Sequence, residues 1–480
     1  MSRFMNTSKF RHVFGTSHKR ELCYDNLKIS PNAWDSNIVK VNSKFLSINW
    51  NAGGGGAFAV VPLESTGKLP GDYPLFTGHS GTVLDTDFAN FNEYVIASGA
   101  EDAKIMIWNI PEVFPEENIQ TPAITLSGHQ KKVGHVLFHP TADNVLASSS
   151  ADLTVKLWDI ENGKEVQELT GHNDLIQSIT YNWNGSLLAT TCRDKKVRVF
   201  DIRSNQIVQE GASHEGIKGS RAVWLGNTDR IATTGFSRTS ERQLFLWDTK
   251  DLSKPLKKHG IDSSSGILMP YFDADVNLLY VAGKGDGSIR YFEYAKDDFS
   301  YLSTHSSNEP QRGMSFMPKR GLNVNQNEVA RCYRIIGNNL VEPISFTVPR
   351  KAENFQHDIF PETPGPQPAL TAEQFFNGET KDPILISLEN GFVSGPKKEL
   401  KTVVNNNVEQ KSTPAVNGSD SKNYEKLYND LKKEVDELSS KLKEKDAKIT
   451  ELEAELANLK TNGTTAETAV ETTTTETTDE

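Results

Sequence analysis

Across residues 78–201, short apolar runs alternate with polar turns at regular intervals. Tyr94-Val95-Ile96-Ala97, Asn144-Val145-Leu146-Ala147 and Ser186-Leu187-Leu188-Ala189 each precede a second run that ends on an aromatic. Those second runs are Lys104-Ile105-Met106-Ile107-Trp108, Thr154-Val155-Lys156-Leu157-Trp158 and Lys196-Val197-Arg198-Val199-Phe200. Gly99-Ala100-Glu101-Asp102, Ser150-Ala151-Asp152 and Cys192-Arg193-Asp194 separate them with the polar chemistry of hairpin turns. Gly78-His79, Gly128-His129 and Gly171-His172 open the three units, 50 and 43 residues apart. That is close to the period of a four-stranded propeller blade. A blade cannot bury its own faces, so the pattern predicts a ring of copies.

Weaker copies flank these three. Ser213-His214 leads to Trp247-Asp248 through a longer interior at 235–242, and Leu278-Leu279-Tyr280-Val281-Ala282 leads to Gly285-Asp286-Gly287-Ser288-Ile289-Arg290-Tyr291-Phe292. Upstream, residues 39–63 place apolar runs on either side of Gly53-Gly54-Gly55-Gly56; downstream, 313–348 is the most degenerate unit. Residues 38–348 number 311, about 44 per blade for seven blades, the best fit, with six or eight left open. The predicted fold class is all-β, a seven-bladed propeller over residues 1–348. Lys9-Phe10-Arg11-His12-Val13-Phe14 is the expected N-terminal strand that pairs into the last blade. Closing the ring in this way removes open sheet edges.

Each repeat brings together an acid, a histidine and a hydroxyl: His79, Ser98, Asp102 with Trp108; His129, Ser148, Asp152 with Trp158; and His172, Thr190, Asp194 with Phe200. Three equivalent catalytic triads in one chain, without an oxyanion hole, make no chemical sense. The expected role is a buried hydrogen-bond chain running carboxylate, imidazole, hydroxyl, indole. Phe200 has no N–H, so the third chain should be one bond shorter. Gly53 to Gly56 lacks the Lys-Ser/Thr of a phosphate loop, and Gly283-Lys284-Gly285-Asp286-Gly287 falls where the repeat needs a turn. No catalytic, cofactor or metal site is expected.

Composition adds organisation. A hydrophobic content of 36% is low for a globular chain and points to a polar portion, which the C-terminal fifth supplies. Cys23, Cys192 and Cys332 are few, odd in number and widely spaced, as for reduced thiols in a cytosolic protein. There is no signal-peptide pattern and no apolar run of membrane-span length. The net charge of −11 is uneven: residues 461–480 carry −5, and residues 1–44 carry +5. A basic N-terminal segment on a near-neutral body suits an acidic protein partner rather than nucleic acid.

Residues 349–396 carry Pro361, Pro364, Pro366 and Pro368 among apolar anchors such as Phe355, Ile359, Phe360, Leu370, Phe375, Phe376, Ile384, Leu385 and Ile386. A free linker would not, so an extension packed on the propeller is expected. Residues 397–422 read as a flexible linker. At 423–460 the period changes to seven. Tyr428, Val435, Leu442, Ile449 and Leu456 fall at a positions; Tyr424, Leu431, Leu438, Lys445, Leu452 and Leu459 fall at d. This predicts a coiled coil of about five heptads. Its facing pairs Lys441–Asp446, Lys448–Glu453 and Glu455–Lys460 favour a parallel homo-oligomer. The acidic, Thr-rich residues 461–480 should be disordered.

The chain resembles the coronin family, actin-regulating WD-repeat proteins. The resemblance rests on Ser8-Lys9-Phe10-Arg11-His12-Val13-Phe14-Gly15, Ala33-Trp34-Asp35-Ser36, the glycine run at 53–56, Thr234-Gly235-Phe236-Ser237, Ser240-Glu241-Arg242-Gln243-Leu244 and Gly283-Lys284-Gly285-Asp286. It continues through Ile289-Arg290-Tyr291-Phe292, Pro310-Gln311-Arg312-Gly313, Met317-Pro318-Lys319-Arg320-Gly321-Leu322, Val348-Pro349-Arg350-Lys351 and Asp382-Pro383-Ile384-Leu385-Ile386-Ser387-Leu388. The resemblance implies no enzymatic activity and no cofactor. It implies binding to filamentous actin, regulation of the actin-related-protein complex that nucleates branches, and a place in the cytoplasm on the cortical cytoskeleton, in actin-rich projections and phagocytic cups. It implies actin contact by Lys28, after Cys23-Tyr24, and by Arg11. The family's trimer pattern falls on Lys448-Ile449-Thr450-Glu451-Leu452-Glu453, with Lys where Arg is usual; Lys cannot make the bidentate fork with Glu, so a trimer is favoured and a dimer stays open. The rival reading is a WD-repeat scaffold for another assembly, a ubiquitin ligase or a trafficking coat.

Overall fold

The computed structural model describes residues 8–401 apart from 55, 352, 353 and 396, and beyond them Lys445 and Lys448. The expected seam residues Leu431, Val435, Leu438, Leu442, Ile449, Leu452, Glu453, Leu456 and Leu459 lie outside the described residues. Lys445 and Lys448 themselves are helical and exposed.

Seven antiparallel sheets form seven blades. Blade 1 is Val39–Val41, Phe45–Asn49 and Phe58–Pro62, with Phe76 completing it by an isolated bridge to Phe58. Blades 2 to 6 have four strands each, with inner strands Val83–Phe88, Val133–Phe138, Ile176–Tyr181, Arg221–Trp224 and Leu268–Asp273. Blade 7 holds Gln311–Phe316, Glu328–Ile336 and Leu340–Thr347. The middle strands are buried on both faces, which is why Val95–Ala100, Val145–Ser150 and Leu278–Gly283 read as unbroken runs of small and apolar residues rather than as alternation.

The first strand closes the ring, but it lies further along the chain than the sequence suggests. Phe14–Ser17 pairs with Leu340–Thr347, Phe14 opposite Thr347 and Ser17 opposite Ile344. Residues 9–13 instead form a turn, with Val13 N–H donating to the Phe10 carbonyl at 3.0 Å. The turn lets Phe10 and Val13 both point inward, into a cluster with Tyr291, Phe346 and Ile359. An extended strand would have sent alternate side chains outward. A second clasp follows: Tyr24–Asp25 also joins Leu340–Thr347, and Gly67–Lys68, from just beyond blade 1, pairs in parallel with it.

The hydrogen-bond chains tie each blade's outer turn to its interior. In blade 2, His79 Nδ1 meets Asp102 at 3.0 Å and Nε2 meets Ser98 Oγ at 2.8 Å, while Trp108 Nε1 donates to the same Oγ at 2.9 Å. Blade 3 repeats this with His129–Asp152, His129–Ser148 and Trp158–Ser148, each 2.8 Å. Burial raises the two carboxyls, but the histidines and backbone N–H groups outweigh it and hold Asp102 and Asp152 below the ordinary range. In blade 4 the chain loses more than the indole. His172 still meets Thr190 at 2.9 Å, but Asp194 turns to Arg198, two residues before Phe200, at 2.6 Å. A guanidinium forms a stronger, charged bond with a carboxylate than a neutral imidazole does. Blade 5 keeps His214–Thr233 at 3.0 Å and Trp247–Thr233 at 2.8 Å, with the amide of Gln243 in place of the acid. Buried arginines also appear from here on: on the strand that carries Trp247, Arg242 grips Asp262 through two 2.6 Å bonds and reaches Asp286 of blade 6 at 2.8 Å, and in blade 7 Arg334 pairs with Glu342 at 2.6 Å.

In each blade the turns between the first and second strands and between the third and fourth share one end, termed here the lower end. The turn between the middle strands and the link to the next blade share the other, the upper end. The C-terminal extension packs on the lower end. Ala369 and Leu370 N–H donate to the Thr141 carbonyl, and Phe375 lies 4.2 Å from the His139 ring, centre to centre. A short helix, Ala372–Phe376, starts at Thr371 with a capping box to Gln374, an arrangement worth about 1 kcal/mol. Ile359, Phe360, Leu370 and Phe375 are buried, whereas Ile384 and Leu385 are exposed. The packing reaches into residues read as linker: Asn92 and Asn109 bind the carbonyls of Lys398 and Leu400. The Leu400 side chain also rests on the core between blades 2 and 3, but backbone groups make the hydrogen bonds, so polar composition does not reveal them. Among the described residues no helix is long and apolar enough to cross a membrane.

Replacing Ser148 by Ala orphans two buried donors or acceptors and should cost about 2–4 kcal/mol in denaturant unfolding, whereas Thr190→Val, which orphans only His172, should cost about half that. Burial pushes His172 and His214 down to about 4, while in the unfolded chain each titrates near its ordinary value of about 6.5. The unfolded chain therefore binds more protons across that window, so stability should fall as pH drops from about 6.5 toward 4. A urea midpoint that stays constant from pH 7 to pH 5 would contradict this.

Candidate functional site

Lys28 occupies a tightly held stretch at the upper end, where blade 7 meets blade 1. Leu27 and Ile29 N–H donate to the carbonyls of Asn339 and Asn338, both at 3.0 Å, and Asn51 N–H donates to the Lys28 carbonyl at 2.7 Å. Leu27 and Ile29 are buried and Lys28 is exposed between them, the alternation an extended segment imposes. Its ammonium has no hydrogen-bond or ion-pair partner among the described residues. The backbone is thus fixed and the charge is free.

Arg312 stands beside this stretch. Its guanidinium donates to the Ser30 carbonyl at 3.0 Å and to the Asn338 side chain at 2.6 Å, with no carboxylate among its partners. Burial lowers its pKa. A register shift in the inner strand of blade 7, between Gln311 and Gly313, sets the position. Arg312 was visible in the sequence only as part of Pro310-Gln311-Arg312-Gly313. The bulge that sets it beside residues 28–30 leaves no spacing signal.

Arg11 lies elsewhere. Phe14 pairs with Thr347 and Tyr24 with Val341 along the same strand. The turn carrying Arg11 is therefore at the lower end of blade 7, and Lys28 is at the upper end, roughly 20 Å away at about 3.3 Å per residue. Arg11 is exposed and makes no ion pair among the described residues; its neighbour Lys9 bonds the Asp358 carbonyl of the extension. The two candidate cations do not share a face.

From Lys28 the chain runs over the upper mouth of the central channel. Trp34 Nε1 donates to the Gly134 carbonyl at 2.9 Å, and Lys132 lies 4.7 Å from its ring centre. A Cβ at Gly134 would come within 2.3 Å of that ring, so the close approach requires glycine. Asp35 meets Lys284 at 3.0 Å, and Arg221 bonds the Asp35 carbonyl and the Asn37 side chain. Below this cover the channel holds a cavity of about 430 Å³. Lys40 pairs with Asp87 there at 3.1 Å, while burial lifts Asp85 to about 6 and pushes His135 down to about 3. His135 bonds Ser149 at 2.9 Å, and Ser178 bonds Thr191 at 2.7 Å. Each of these groups has an internal partner, Asp85 accepting from the Val136 N–H at 3.2 Å, and the Ser149 hydroxyl that meets His135 is buried.

Residues 3–68 match a domain of unknown function (DUF1899), residues 73–109, 120–159 and 163–201 match the WD domain, G-beta repeat, and residues 341–383 match a type of WD40 repeat. The coronin-like protein crn1 of Schizosaccharomyces pombe is 49% identical over 398 residues, 82% of this chain. The match spans 66% of that protein's own length, just under two thirds. Coronin-A of Dictyostelium discoideum is 46% identical over 407 residues, 84% of this chain and 91% of that one. The crystal structure of the WD40 domain from Toxoplasma gondii coronin superimposes with a TM-score of 0.75 at 32% identity, covering 79% of this chain and 97% of that one. With relatives at 46–49% identity over more than four fifths of its length, the chain belongs to the coronin family.

Proposed function

We propose that the protein is a non-enzymatic actin-filament adaptor. Its propeller contacts the filament through the upper end around Lys28 and Arg312, and its residues 423–460 gather several propellers. The observation that carries this reading is Lys28 itself, a cation fixed by its backbone and left without an internal partner. Membership of the coronin family, known for actin binding, supports the choice of partner. Arg11 adds a second contact if the filament also runs along the outer edge of blade 7. The oligomer is a parallel trimer, with a dimer as the alternative, and gathering weak contacts raises avidity without new chemistry. Regulation of the branch-nucleating actin-related-protein complex, from a cytoplasmic and cortical location, belongs to the same reading.

Lys28→Glu should weaken co-sedimentation with actin filaments about five- to tenfold, as expected for a close interfacial charge. Unchanged binding would remove Lys28 from the contact. Arg11→Glu, measured alongside, reports whether the contact wraps the blade edge. A chain ending at Lys422 should lose filament bundling and at least about tenfold in apparent affinity; full bundling by that chain would refute the avidity argument. Failure of the intact protein to bind filaments even at low salt would favour the scaffold reading.

A further inference from the structure

The upper end carries a second feature that the filament reading does not use. Between Trp34 and the links into blades 4, 5 and 6 lies an open pocket of about 440 Å³, within the range of pockets that take a ligand or several side chains. Trp34, Ile217 and Ile267 give it an apolar wall. Ile217, on the link into blade 5, is 78% exposed, one of the most exposed large apolar side chains among the described residues. Nothing in the propeller covers it.

The rest of the lining is lopsided in charge. Arg193, Lys218, Arg221 and Lys284 face the pocket, and Asp35 is the one acid lining it. Asp35 engages Lys284 at 3.0 Å, and Arg193 reaches outward to Asp174 at 2.9 Å. Lys218 donates to the Ser265 carbonyl at 2.9 Å and lies 4.9 Å from the Phe236 ring centre, with no acid within ion-pair distance among the described residues. Arg221 binds a carbonyl and an amide oxygen and feels the charges of Asp35 and Asp85, with no carboxylate within ion-pair distance among the described residues. Two cations therefore reach a partly apolar pocket without a direct ion pair among the described residues, and the lining keeps more basic than acidic side chains. Cations held on low-dielectric walls focus field and favour anionic ligands, and a guanidinium is suited to bidentate capture of a carboxylate.

We propose that this pocket binds an acidic peptide segment of a partner protein, one that seats a bulky apolar side chain against Ile217 and Trp34 and sets neighbouring carboxylates on Lys218 and Arg221. An inorganic anion would leave the apolar wall wet, and a neutral apolar ligand would leave the two cations unpaired; only a ligand carrying both chemistries satisfies the pocket. The links that form it belong to blades 4 to 6, away from Lys28 at the junction of blades 7 and 1. The inference therefore stands apart from filament binding.

The test is selection of a displayed random-peptide library on the full-length protein at about 50 mM salt, followed by affinity measurement with synthetic representatives. Enriched sequences should pair two or more Asp or Glu with a large apolar residue. Their affinity should fall about tenfold or more for Ile217→Asp and for Lys218→Glu, and should weaken as salt rises to about 300 mM. Both side chains are exposed, so both variants should melt with the wild type. No enrichment, enriched sequences without acids, or equal affinity for the variants would overturn the proposal. Filaments are absent from the assay, so its outcome is independent of the actin reading.

Discussion

The ring depends on one pairing across the length of the chain, that of Phe14–Ser17 with Leu340–Thr347. Without it blade 7 would end on an open strand edge, and the faces of blades 7 and 1 would separate. The structure reinforces this seam more than any other. Tyr24–Asp25 joins the same strand, Gly67–Lys68 pairs with Tyr24–Asp25 from beyond blade 1, and Phe10 and Val13 fill the core behind. The same segment then continues as residues 27–37, which present Lys28 and cover the channel. Closure and the candidate contact surface are consequently built from one continuous piece of chain.

The bonding within blades changes in kind around the ring. Blades 2 and 3 rely on a shared hydroxyl that serves imidazole and indole together, a network anchored by one carboxylate. Blade 4 is the transition, where Arg198 draws Asp194 away from His172. Beyond it, blade 5 keeps its histidine chain but adds the buried ion pairs of Arg242, and in blade 7 the buried pair of Arg334 with Glu342 stands without one. A buried pair of charges is costly to break, since removing one partner strands the other. The blades that depart most from the repeat are thus held by more demanding interactions.

The sequence made the middle of this fold easy to read and its ends hard. Blades 2 to 4 carry a pattern in which every structural residue sits at fixed spacing, so His79, Ser98, Asp102 and Trp108 could be named together. The N-terminal strand was misplaced by several residues because Phe10 and Val13 look like strand positions when they are in fact the inward side of a turn. Lys398 and Leu400 look like linker because their carbonyl contacts leave no trace in side-chain composition and Leu400 is a lone apolar residue in a polar stretch, although its side chain also packs on the blade core. Lys28 was identified from family likeness, and the structure adds its neighbour Arg312 while placing Arg11 at the other end of the blade. The heptads of residues 423–460 are a pattern of the sequence alone, and their seam lies outside the described residues.

The clasp also sets an order of events during synthesis. The partner of Phe14–Ser17 lies more than 300 residues downstream, so at roughly 5–20 residues per second the first strand leaves the ribosome on the order of tens of seconds before Thr347 exists. Throughout that interval the blades that follow can assemble on one another, but blade 1 has no neighbour on its open side. The basic stretch around Lys19, Arg20 and Lys28 meanwhile precedes any apolar surface it will later cover. Its charge keeps a waiting strand soluble until the last blade arrives to receive it.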